Sequence, residues 1–143
     1  MHHDWAQPAL DGHLLQAEAI RDRIFRHAGA LCKSTKQYFS SLAGLMAISC
    51  NGWTSSNRIA FLAITGSWIT HDWRLEETLL DFVELHGAHD GQNMASAVAS
   101  VLSELGIGEK VLALVSNNAG TNGTLIRHLL ALLEKLAPGT RWD

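Results

Sequence analysis

The sequence predicts an α/β domain built on a mixed sheet, and three observations carry that prediction. Two apolar runs, Leu45 to Cys50 and Ile59 to Ile64, stand on either side of a polar turn, as paired strands do. A third apolar run, Val111 to Val115, has the length of a buried strand and lies between two stretches of helical periodicity. Strands followed by helix, strand, helix is an α/β order. With 143 residues, 47% of them hydrophobic and 17% charged, the chain is long enough for one domain with a proper core and too apolar to be disordered.

Residues 1–44 read as a helical N-terminal segment. Leu14, Ala17, Ile20, Ile24, Ala28 and Leu31 recur at helical spacing. Between them Arg21, Arg23, Arg26, Lys33 and Lys36 are opposed only by Asp22, a gathering of cations in a chain whose net charge is -3. Such a cluster suits a phosphate backbone, and it equally suits the solvated side of a helix. After Gly29, Ser34 to Leu42 reads as a second short helix or a loop.

Residues 45–143 hold the sheet. The first strand ends in Asn51-Gly52-Trp53-Thr54-Ser55, and Ser55-Ser56-Asn57 supplies turn chemistry, because short Ser and Asn side chains bond their own backbone. Ile59 to Ile64 is apolar on both faces and reads as an inner strand covered on both sides. Trp73 to Leu85 fits both a strand and a helix. Asp90 is placed to cap a helix whose stripe is Met94, Val98, Val101, Leu102 and Leu105, ended by Gly106. Leu125, Leu129, Leu132, Leu133 and Leu136 form a last stripe, closed by Pro138-Gly139. A right-handed crossover through the first of these helices lays the Val111 strand parallel to an earlier one. It would bring Asn51 to within about 6 Å of Asn117, the reach of two ligands sharing one ion. Trp53, Phe61, Ile64, Leu102, Val111, Leu129 and Leu133 are expected to be buried.

No apolar run approaches the ~20 residues that cross a bilayer, and the N-terminus lacks the basic start and apolar stretch of a secretory signal, so an intracellular soluble protein is expected. Cys32 and Cys50 have no partner at zinc-finger spacing and read as buried free thiols. Asp81, Glu84, His86, His89, Asp90 and Glu134 read as charges at the edges of elements, with His89 holding a loop by hydrogen bonding.

Several linked motifs resemble one family. Cys50-Asn51-Gly52-Trp53-Thr54-Ser55-Ser56-Asn57-Arg58, Phe61 to Thr65, Asp72-Trp73, Leu79 to Phe82, Gly87-Ala88-His89-Asp90-Gly91-Gln92-Asn93 and Asn117-Asn118-Ala119 are similar in order and spacing to the catalytic core of hAT-superfamily transposases. The resemblance covers roughly Leu45 to Leu136. It implies a truncated ribonuclease-H-like mixed sheet flanked by helices, with Trp73 to Leu85 as its third strand, and an ancestral activity of metal-dependent DNA cleavage and strand transfer in the nucleus. It also implies that Asn51 and Asn117 stand where the family has the Asp residues that hold Mg²⁺ or Mn²⁺. A carboxylate and a divalent ion ~4 Å apart attract by roughly 8 kcal/mol at an effective dielectric of ~20, and an amide keeps only a dipole. No metal cofactor is therefore expected for the chain as written. The family's third acid, a Glu beyond a helical insertion, and its dimerisation region are expected to fall outside these residues. The expectation is an inactive remnant or, alternatively, a domesticated module binding DNA or protein, with no small-molecule cofactor and no membrane.

A rival reading comes from Asn117-Asn118-Ala119-Gly120, which is similar to a stretch of short-chain dehydrogenases. Thr65-Gly66-Ser67 lacks the further glycines that admit a pyrophosphate, and Tyr38 has Leu42 where a catalytic Tyr-x-x-x-Lys needs lysine.

Overall fold

The computed structural model describes residues 17–87, 90–117 and 122–138. It divides into two compact units, Met1–Thr35 and Lys36–Asp143. Helix α1 (Ala17–Ser41) contributes residues to both. Gly29 does not end it, which corrects the expected break: one interior Gly costs about 1 kcal/mol, and Ala28, Ala30 and Leu31 around it are good helix formers. In the first unit Ile20, Ile24 and Leu31 are all exposed. At about 100° per residue Arg26 and Lys33 lie on the opposite side of the helix from them, and Arg23 flanks them.

The second unit carries a four-stranded sheet in the order β3-β2-β1-β4. Strands β1 (Met46–Thr54), β2 (Ala60–Ile69) and β3 (Leu75–Leu85) form an antiparallel meander, and β4 (Val111–Ser116) lies parallel to β1. Helix α2 (Gly91–Leu105) makes the crossover to β4, and α3 (Asn122–Leu136) follows it. This is the mixed α/β sheet that the sequence predicts. Both hairpins close in the same way: Ser55 N–H donates to Ile59 and Thr70 N–H to Arg74, with Arg58 (φ 62°) and Trp73 (φ 61°) in the left-handed conformation before the second strand.

The Trp73–Leu85 ambiguity has a visible cause. The β2–β3 register shifts between Ile64 and Thr65, leaving Leu80 as the extra residue of a bulge. The shift breaks strand alternation, so Leu75, Leu79 and Phe82, paired with Ile69, Thr65 and Ala63, share one face at a spacing that also suits a helix. Leu80 lies over Gly66, where a Cβ would come within 3.1 Å of Leu80 Cδ1, so any side chain at that point of β2 would have to push Leu80 aside.

Helix ends are satisfied by named groups. Asp90 accepts from Asn93 N–H at 2.9 Å as the cap of α2, and Gly106 (φ 69°) closes its other end. The end of α1 lacks a basic residue of its own, and Lys110 supplies one: its Nζ donates to the carbonyls of Phe39 (2.6 Å), Ser40 (3.1 Å) and Leu42 (2.5 Å).

Burial separates the two faces of the sheet. Met46, Ile48 and Cys50 of β1 and Leu62, Ile64 and Trp68 of β2 are buried with Phe39, with Met94, Val98 and Leu102 of α2, and with Leu125, Leu129 and Leu133 of α3. Among the described residues no helix covers the opposite face. Strand β2 is thus covered on one side only, contrary to expectation, and on its other side it carries the small or polar Ala63, Thr65 and Ser67 between Phe61 and Ile69. Trp53, expected in the core, is 40% exposed, because alternation puts it on the side of β1 opposite Cys50 and Gly52. Phe61, its partner across the β1–β2 pair, is only half-buried for the same reason. Ile64, Leu102, Val111, Leu129 and Leu133 are buried as expected. Cys32, expected to be buried, is exposed, whereas Cys50 is buried.

Candidate functional site

Parallel pairing sets the end of β4 beside Cys50, where the β1–β4 ladder stops while β1 runs on to Thr54. The last register pair is Cys50 with Ser116, and Asn117 N–H continues the ladder by donating to the Cys50 carbonyl at 3.3 Å. Asn51 and Asn117 are the next residues of their strands, and both are exposed. Asn117 Nδ2 donates to Asn51 Oδ1 at 2.5 Å, well inside the expected reach of a shared ion. Asn117 Oδ1 in turn accepts from Gly52 N–H at 3.2 Å. That second bond decides which end of the Asn117 amide faces Asn51: the oxygen is engaged by a backbone donor, so the nitrogen meets the side-chain oxygen.

A divalent ion needs oxygens converging on one point. Here one amide presents hydrogens where a second oxygen ligand would stand, and the one oxygen of Asn117 is turned to the backbone. The donor set does not fit Mg²⁺ or Mn²⁺. Two carboxylates at this spacing would repel each other and need a cation between them, and the two amides satisfy each other instead. Among the described residues no group of three His, Cys, Asp or Glu side chains is gathered anywhere. Asp81, Glu84, His86, Asp90 and Glu134 are exposed. His89 and the Asn118-Ala119-Gly120 part of the second tip lie outside the described residues.

On the same face of β1 as Asn51, Trp53 packs against Phe61 (ring centroids 6.0 Å) and Phe82 (5.4 Å), and Phe61 stacks on Phe82 at 5.2 Å. The trio is the feature that reading the sequence missed. The signal was present, since positions 51 and 53 share a face in any strand and Cys50 belongs to the other.

The sequence matches the model of the ZBED1 RNase-like domain over residues 49–140, which includes β1 from Ser49 onward and every later element. The chain belongs to this family of hAT transposase-derived domains. Its relatives agree. It is 34% identical over 121 residues to a putative transcriptional regulator, tpeD, of Talaromyces stipitatus, a match that covers 84% of this chain and 14% of that protein. It is 27% identical over 82 residues to the putative AC transposase of Zea mays, 57% of this chain and 10% of that one. It is 22% identical over 82 residues to the zinc finger BED domain-containing protein RICESLEEPER 2 of Oryza sativa subsp. japonica, 57% and 11%. The chain thus spans only 10% to 14% of the length of these relatives. Within the hAT-derived fold the Asn51–Asn117 pair sits where the β1–β4 ladder stops, and the described helix α1 lies ahead of the matched residues.

The five cations singled out in the sequence all belong to α1. Arg21, Arg23, Arg26 and Lys33 stand in the first unit and Lys36 in the second. No helix among the described residues is long and apolar enough to cross a membrane.

Proposed function

We propose that this chain is a degenerate hAT transposase catalytic-domain fragment that neither binds a catalytic divalent ion nor cuts or joins DNA. The observation that carries the reading is the Asn117 Nδ2 to Asn51 Oδ1 hydrogen bond. Transposition of this kind needs ions clamped between strand-end carboxylates to activate the attacking oxygen and stabilise the leaving one. With both positions amide and joined by a hydrogen bond, an entering ion would break that bond without gaining a charge partner. The test is titration calorimetry with Mg²⁺ and Mn²⁺, run beside a plasmid-nicking assay. The chain as written takes up no ion at this site and nicks nothing, while Asn51→Asp with Asn117→Asp gains weak ion binding. Ion-dependent nicking by the unaltered chain would overturn the proposal.

The uncovered sheet face favours a second reading, a domesticated binding module acting in the nucleus. Trp53 and Phe82 (49% exposed) form an aromatic surface that burial against a partner would stabilise. For DNA the candidates are Arg21, Arg23, Arg26, Lys33 and Lys36, whose replacement by Ala should weaken binding and flatten its salt dependence. Fluorescence anisotropy with duplex DNA at graded salt checks this, and binding unchanged by the substitutions removes α1 from the interface.

A further inference from the structure

Asn51 is followed by Gly52, and glycine carries no side chain to shield its own backbone nitrogen. In an unrestrained chain that nitrogen attacks the Asn51 Cγ, ammonia leaves, and the resulting succinimide takes up water to open as aspartate or isoaspartate. No oxidant or cofactor is involved; one C–N bond forms, one breaks, and water restores the acid. Here both reacting groups are held. Gly52 N–H, whose proton must leave for the nitrogen to attack, is engaged by Asn117 Oδ1 at 3.2 Å. The Asn51 amide that must swing toward it is tied by Asn117 Nδ2 to β4. Pairing of Asn51 with Ala63 and of Gly52 with Leu62 keeps the backbone extended, which keeps the nitrogen away from Cγ.

We propose that Asn51 is a deamidation site held in check by Asn117. One side chain restrains both the nucleophile and its target. When the strand end opens, position 51 gains a negative charge beside Asn117, and an isoaspartate adds one backbone atom to β1 at its junction with β4. Asn57, which precedes the bulkier Arg58, has no comparable liability.

The experiment is peptide mapping after incubation at mildly alkaline pH in heavy-oxygen water, which marks each opened succinimide. Trypsin releases Gln37 to Arg58, and fragmentation separates Asn51 from Asn57 within that peptide. The folded chain should convert at position 51 far more slowly than the same chain in urea. Asn117→Ala, which frees both groups, should speed conversion by about tenfold or more, the factor that loss of a ~1.4 kcal/mol restraint gives. Asn117→Asp keeps an acceptor for Gly52 N–H and should remain slow. Leu129→Ala loosens the core without touching the pair, and should also remain slow while the chain stays folded. Equal rates in native buffer and urea, no acceleration in Asn117→Ala, or equal acceleration in Leu129→Ala would each overturn the proposal.

Discussion

The two faces of the sheet obey different rules. On the covered face every large side chain of β1 and β2 is aliphatic, sulfur-bearing or Trp68, and all are buried in one cluster with Phe39 of α1 and the apolar stripes of α2 and α3. On the uncovered face the same strands carry Ser49, Asn51, Trp53, Phe61 and Thr65, exposed or half-buried. Packing energy constrains the first face tightly, because a missing methylene leaves a void with no partner atoms. The second face is free to vary in chemistry without unfolding the domain. That is why the hAT-derived fold persists here with amides at its strand ends.

The contrast can be broken by substitution, and the largest effect should come from the covered side. Leu129 is 2% exposed in the centre of α3's apolar stripe, and Leu129→Ala should cost roughly 2 to 5 kcal/mol in urea or thermal unfolding. A neutral outcome would mean that α3 is not packed on the sheet. Lys110→Met removes the ammonium from three carbonyls at the end of α1 and should cost about 2 kcal/mol. Trp53→Ala on the open face should cost only about 1 kcal/mol, the worth of its contacts with Phe61 and Phe82. If Trp53→Ala proved as costly as Leu129→Ala, the two faces would not differ as described.

The two thiols sharpen the same comparison by pH. Burial pushes the Cys50 thiol from its ordinary 9.0 up to about 12, so it stays protonated in the folded chain. A folded value above the unfolded one gives stability that is complete below pH 9 and lost as the pH rises toward 12. Relative to Cys50→Ala, the unaltered chain should therefore lose up to about 1.4 kcal/mol per pH unit across that window in denaturant titrations. Under native conditions a thiol reagent should label exposed Cys32 and spare Cys50.

Much of this was legible in the sequence, for identifiable reasons. The α2 stripe with Asp90 ahead of it and Gly106 behind it follows directly from helical periodicity and capping. The nearness of Asn51 and Asn117 follows from a crossover connection, which leaves little choice once β1 and β4 are recognised. Illegible were features in which tertiary context overrules local pattern. Trp53 is as apolar as any core residue, and only its parity with Asn51 shows that it faces outward. Gly29 looks like a helix end and is not one. Lys110 reaches the end of a helix some seventy positions earlier in the chain, a pairing that no local pattern encodes.

The central claim is that the strand ends hold each other rather than an ion. The most direct measurement is the Mg²⁺ and Mn²⁺ affinity of the unaltered chain against that of Asn51→Asp with Asn117→Asp, by titration calorimetry at matched ionic strength. The account predicts no heat of binding at this site for the amide pair and a weak saturable isotherm for the two carboxylates. Equal ion affinity in both proteins would contradict it.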